Sequence, residues 1–139
     1  MVGDSLPDEG TTYTTTSQPT VRENVKDKLL MLRPGFFQGS EGPFYCGDAV
    51  AVEGLLSFFP QLRSQIDVEY IDAPRPRQAI VELIGEANQS APVLVLGAGR
   101  EPVDNSVEVR VHGQTQFIDS PDHIRRYLSS QYGVARPAS

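Results

Sequence analysis

The stretch Phe44-Tyr45-Cys46-Gly47-Asp48-Ala49 decides how this chain is read, because it sets a cysteine where a loop turns into a helix. From Ala49 onward the apolar residues Val52, Leu55, Leu56 and Phe59 recur at helical spacing, until Pro60 stops the run. Upstream, Leu29-Leu30-Met31-Leu32 is a short continuous apolar run, the pattern of a strand buried on both faces. Arg33-Pro34-Gly35 ends that strand, and a loop rich in Gly and Pro leads to the cysteine. The unit is therefore strand, loop, helix, with the thiol at the helix start. Cys46 is the single cysteine of the chain, and Ala49 stands three positions on, where a dithiol oxidoreductase carries its second thiol. No disulfide can close within this chain.

Working outward, Ile66 to Ile71 reads as a second strand, mostly apolar. Pro76 suits the first turn of a second helix, whose Ile80, Val81, Leu83 and Ile84 form an apolar face before Gly85 ends it. Pro92-Val93-Leu94-Val95-Leu96 is a third strand, with proline at its first residue, where a missing N–H is tolerated. Gly97 to Ser106 is a turn-rich loop. Val107, Val109 and Val111 alternate with Glu108 and Arg110 as in a half-exposed strand, and Gln116-Phe117-Ile118 is a further strand or its continuation past Gly113. Asp119 or Ser120 caps a last helix with Pro121 in its first turn, Ile124, Tyr127 and Leu128 on its buried side, and Gly133 at its end. Alternation in the first half implies a right-handed βαβ crossover with parallel strands. The class is α/β, with a βαβ unit followed by a β-hairpin and a C-terminal helix, and a central mixed sheet flanked by helices.

At 139 residues the chain holds one domain. Residues 1 to about 26 are rich in Thr, Ser, Asp, Glu and Pro and too poor in apolar groups to offset the entropy of ordering, so a disordered tail is expected over 1–26. A folded domain is expected over 27–134 and a flexible end over 135–139. The net charge of −6 excludes a phosphate-neutralising basic face and with it nucleic acid. No apolar run reaches the ~18–20 residues of a membrane span. The start Met1-Val2-Gly3-Asp4-Ser5 lacks the basic and apolar regions of a signal peptide. With one unpaired cysteine, a reducing cytoplasm is the expected compartment.

The element order, Phe44-Tyr45-Cys46 ahead of the first helix, and Gln89-Ser90-Ala91-Pro92 ahead of the third strand together resemble the thioredoxin fold. The Pro92 segment resembles the cis-proline loop of thioredoxins, glutaredoxins and the N-terminal domains of glutathione S-transferases. Leu32-Arg33-Pro34-Gly35-Phe36, Pro74-Arg75-Pro76-Arg77-Gln78 and Asn88-Gln89-Ser90 with Pro92-Val93-Leu94 are similar to a bacterial family of uncharacterised thioredoxin-like proteins, over roughly residues 28 to 132. Members of that family often keep a second cysteine after the first. Its absence here rules out carrying over dithiol chemistry.

A helix N-terminus favours the thiolate of Cys46. Arg33, at the carboxyl end of the first strand, would add to that, and Asp48 opposes it through like-charge repulsion. The resemblance implies a monothiol site, as in glutaredoxins with Cys-Gly-Phe-Ser, where this chain has Cys46, Gly47, Asp48 and Ala49. Such a thiol forms a mixed disulfide with glutathione, resolved by a second glutathione, and related glutaredoxins also use glutathione to ligate an iron–sulfur cluster. By the same resemblance Tyr45 flanks the substrate, and Ala91, through a cis bond to Pro92, offers strand-like pairing to a thiol or peptide. Arg75 and Arg77 would hold a glycine carboxylate. Asp119 and Ser120 open the last helix toward the same groove, where Asp119 would receive an amino group, with plain capping as the alternative. His112 and His123 have no metal-ligand spacing, and Gly97-Ala98-Gly99-Arg100 lacks the ending of a phosphate loop. Two functions stay open. One is a monothiol protein acting on glutathione or a similar thiol; the other is a redox-inactive module engaging a protein partner through the groove near Pro92. Oligomeric state is not fixed by sequence.

Overall fold

In the computed structural model, which describes residues 25–138, the apolar run is the strand β1 (Lys28–Leu32). Its side chains alternate between two cores. Leu29 and Met31 join one buried cluster, and Leu30 and Leu32 join a second. A strand covered on both faces has no solvent side, which is why the run carries no polar residue.

The elements that follow are β2 (Phe36–Gln38), β3 (Glu41–Phe44), α1 (Gly47–Phe58), α2 (Leu62–Gln65), β4 (Asp67–Ile71), α3 (Gln78–Ile84), β5 (Val93–Val95), β6 (Arg110–His112), β7 (Thr115–Ile118) and α4 (Pro121–Tyr132). Five strands form one sheet in the order β4-β1-β5-β7-β6. β1 and β4 are parallel, with Lys28 opposite Asp67 and Leu32 opposite Ile71. β5 runs antiparallel to β1, and β7 antiparallel to both β5 and β6. Residues of α1, α2 and α4 pack on the Leu29–Met31 face and those of α3 on the Leu30–Leu32 face. The architecture is thus a mixed α/β sheet flanked by helices and closed by a C-terminal helix, compatible with a thioredoxin-like arrangement.

Some boundaries differ from the sequence reading. The loop before Cys46 contains the hairpin β2–β3, in which Phe36 pairs with Phe44 and their ring centroids lie 6.2 Å apart. Pro76 precedes α3 rather than sitting in its first turn, since Arg77 is the N-cap residue. The alternating valines do not form one strand from Val107. Asp104 accepts the Ser106 amide and hydroxyl at 2.9 and 2.7 Å, and this turn holds Val107 out of the ladder and in the α1–α4 cluster. Pairing starts at Arg110, and Thr115–Ile118 is a separate strand across a turn at Gly113. Gly133 ends α4 in the left-handed region (φ 72°), as its sequence position implies. The expected disordered tail falls on residues 1–24, outside the described residues, except for Val25 and Lys26.

Asp27, the residue before β1, is 0% exposed. Its Oδ1 accepts the Gly97 amide at 2.7 Å and lies 3.0 Å from Arg100 Nε as an ion pair. Its Oδ2 accepts the hydroxyls of Tyr127 at 2.6 Å and Tyr132 at 2.7 Å. A carboxylate this buried persists only with such partners. Gly97 is required at this spot, because a Cβ there would overlap the Val25 carbonyl.

Candidate functional site

Cys46 is the N-cap residue of α1, with extended backbone (φ −86°, ψ 119°) and no side-chain capping bond. Its carbonyl accepts the Val50 amide at 3.2 Å, the first hydrogen bond of the helix. Cys46 therefore stands at the positive end of a 12-residue helix. Asp48 lies in the first turn, as its sequence position implies. The cysteine is partly buried and packs against both apolar clusters, so it stands at the seam between the two layers.

Cys46 lines an open groove of about 740 Å³ between α1 and the sheet edge formed by β4. Met31, Leu32 and Val68 form the floor. Ala49 and Val50 of α1 and the rings of Tyr45 and Tyr70 form the walls. The charged residues of the groove are paired. Glu53 accepts the Tyr70 hydroxyl at 2.7 Å and bonds the Arg63 guanidinium. Glu69 lies 2.7 Å from Lys28 Nζ. Burial, with the bond to Glu53, raises the Tyr70 pKa, while Arg63 acts the other way.

Arg77 is the N-cap residue of α3. Its amide donates to Gln89 Oε1 at 2.7 Å, Nε to the Ala73 carbonyl at 2.8 Å and Nη1 to the Gln89 carbonyl at 2.8 Å. Burial lowers its pKa, Arg75 lowers it further, and negative charge on Cys46 raises it.

Arg33 lines the groove, but its guanidinium bonds Asp72 and, at 3.0 Å, the Tyr70 carbonyl. The register explains the pairing. Leu32 stands opposite Ile71, so the next residues of the two parallel strands, Arg33 and Asp72, emerge side by side.

The other expected site residues divide in two. Tyr45 is 69% exposed at the groove mouth. Ala91 packs on one of the clusters that Cys46 touches, and the Ala91–Pro92 bond is cis, as the resemblance implies. Arg75 is exposed, and its charge bears on Arg77. Asp119 neither caps α4 nor lines the groove. Arg110, lying 5.2 Å over the Phe117 ring, takes it in an ion pair at 2.5 Å. Ser120 is the N-cap residue of α4 by position, without a side-chain bond. Glu53, Arg63, Tyr70 and Gln89 were not anticipated. Their contacts span 7 to 17 positions, and the local pattern carries no mark of them.

The His123 ring accepts the Glu108 amide at 3.1 Å through Nδ1, and the His112 ring packs beside Gly85. Among the described residues no three His, Cys, Asp or Glu side chains group as a metal site, so Cys46 would be the single ligand this chain gives an iron–sulfur cluster. No helix among the described residues is long and apolar enough to cross a membrane.

A family model described as "Protein of unknown function (DUF3088)" matches residues 26–136, and the chain belongs to that family. No curated protein and no solved structure matches the chain.

Proposed function

We propose that this DUF3088 protein is a thioredoxin-like monothiol protein of the cytoplasm that exchanges disulfides with glutathione or a similar thiol through Cys46. The observation that carries this is the placement of Cys46 at the start of α1, lining the groove between α1 and β4. In the proposed cycle the Cys46 thiolate attacks the glutathione sulfur of a mixed disulfide between glutathione and another thiol. That S–S bond breaks, the other thiol leaves as a thiolate and takes a proton from water, and a Cys46–glutathione disulfide forms. A second glutathione thiolate attacks the glutathione sulfur of that adduct, which releases oxidised glutathione and restores the Cys46 thiolate. No second protein thiol is needed. Arg75 and Arg77 supply guanidinium groups for a carboxylate, and the Ala91–Pro92 loop flanks the adduct.

Incubation with oxidised glutathione followed by intact-mass spectrometry tests the reading. The expected product carries one glutathione, lost on reduction and absent from Cys46→Ser. An unmodified chain at neutral pH overturns it. In that case the second reading stands, a redox-inactive module binding a protein partner near Pro92. It is favoured by the exposure of Phe37 and Tyr45 beside the thiol loop.

A further inference from the structure

We propose that the groove between α1 and β4 binds an uncharged aromatic or alkyl group and holds it beside the Cys46 sulfur. This deepens the thiol reading, on which it rests, by naming the class of the thiol's partner: a neutral aryl or alkyl thiol or disulfide.

Three observations carry it. First, the groove has about 740 Å³, within the ~300–1,000 Å³ of small-molecule sites. Second, its apolar walls are left open to solvent. Val50 in the first turn of α1 is 53% exposed and Tyr45 is 69% exposed, although both stand over a floor of Met31, Leu32 and Val68. Third, each of its charged residues already has a partner. Glu53 is held by Arg63 and Tyr70, Arg33 by Asp72 and Glu69 by Lys28. A charged ligand lying here would find no free counter-charge, whereas an uncharged apolar group gains by leaving unfavourable hydration. The charged carrier of the proposed cycle then meets the sulfur from outside this groove.

The covalent step is the same exchange with a different occupant. The Cys46 thiolate attacks the sulfur bearing the apolar group in a neutral disulfide, whose S–S bond breaks. The other half leaves as a thiolate and is protonated by water, and the apolar half stays in the groove as a mixed disulfide with Cys46. One disulfide is consumed and one formed, so no further oxidant is required.

The test separates the groove from the thiol. The full chain carrying Cys46→Ser is titrated with the neutral fluorescent probe N-phenyl-1-naphthylamine, alone and with Val50→Gln or Phe58→Gln added. Both positions are exposed on α1, so both variants fold, but Phe58, 80% exposed, lies outside the groove. Saturable binding is expected, about fivefold or more weaker with Val50→Gln and unchanged with Phe58→Gln, the loss that follows from replacing one apolar wall residue. Absence of saturable binding, or equal binding by all three proteins, overturns the proposal whatever Cys46 does. Self-association of the parent chain that Val50→Gln abolishes also overturns it, because a second copy then covers the groove. With wild-type chain, N-benzylmaleimide should outpace N-methylmaleimide by about tenfold more than it does with a free cysteine derivative. A ratio equal to that of the free thiol overturns the inference and leaves the glutathione adduct standing as a separate result.

Discussion

Two arginines differ in what their guanidinium groups already bind. Arg77 is held by the Ala73 and Gln89 carbonyls, so it is ordered before any negative charge develops on Cys46. A part-screened interaction of this kind is worth about 1 kcal/mol. Arg77→Ala should therefore slow alkylation of Cys46 by neutral iodoacetamide at neutral pH about fivefold. Arg33→Ala should leave the rate within about twofold, since that guanidinium serves Asp72 and the Tyr70 carbonyl instead. Stopped-time mass spectrometry reads both, and a larger loss with Arg33→Ala would reverse the assignment. At this scale the sequence showed the thiol, its helix and its repelling Asp48, all neighbours in the chain. It did not show which carboxylate takes the Arg33 guanidinium. That depends on Asp72, 39 positions from Arg33, arriving beside it through strand register.

Between elements, Asp27 ties the entrance of β1 to the end of β5 and to α4. One carboxylate joins the Gly97 amide, Arg100 and two tyrosine hydroxyls that lie 100 and 105 positions away. Asp27→Asn keeps the shape but loses the charge-assisted bonds and opposes an amide N–H to donors. A loss of about 3 kcal/mol in urea unfolding is expected. Tyr132→Phe, removing one bond from a partly exposed ring, should lose about 1 kcal/mol. Equal losses would mean that the carboxylate adds nothing beyond its hydroxyl partners. β1, α1, β4 and α4 were all legible, because each carries a continuous or periodic apolar signal long enough to set its type. The β2–β3 hairpin was not, since its two strands are only three and four residues long and Gly39, Gly42 and Pro43 interrupt any alternating apolar pattern. Asp27 itself reads as the last polar residue of a tail, because nothing local distinguishes a buried carboxylate from an exposed one.

For the whole molecule, the same clasp sets a limit at alkaline pH. Tyr127 and Tyr132 are both raised above the ordinary tyrosine value, by burial first and then by the hydrogen bond to Asp27, with Arg100 acting in the opposite direction. The folded state thus keeps two phenolic protons that the unfolded chain gives up near pH ~10. The stability they contribute is fully present below that pH. It falls as the pH rises further, because there the unfolded chain binds fewer protons than the folded one. Each ring accounts for about 1.4 kcal/mol per pH unit in that range. Tyr70 is raised too, but it sits at the surface, where solvent screening makes its share smaller. Urea unfolding across pH ~8 to ~11 should show a plateau and then a decline. Tyr132→Phe should start lower on the plateau and decline with about half the slope, since one of the two linked protons is gone. A slope unchanged by that substitution would place the alkaline transition elsewhere in the molecule. A halved slope would show that β1, the β5 end and α4 come apart as one cooperative unit.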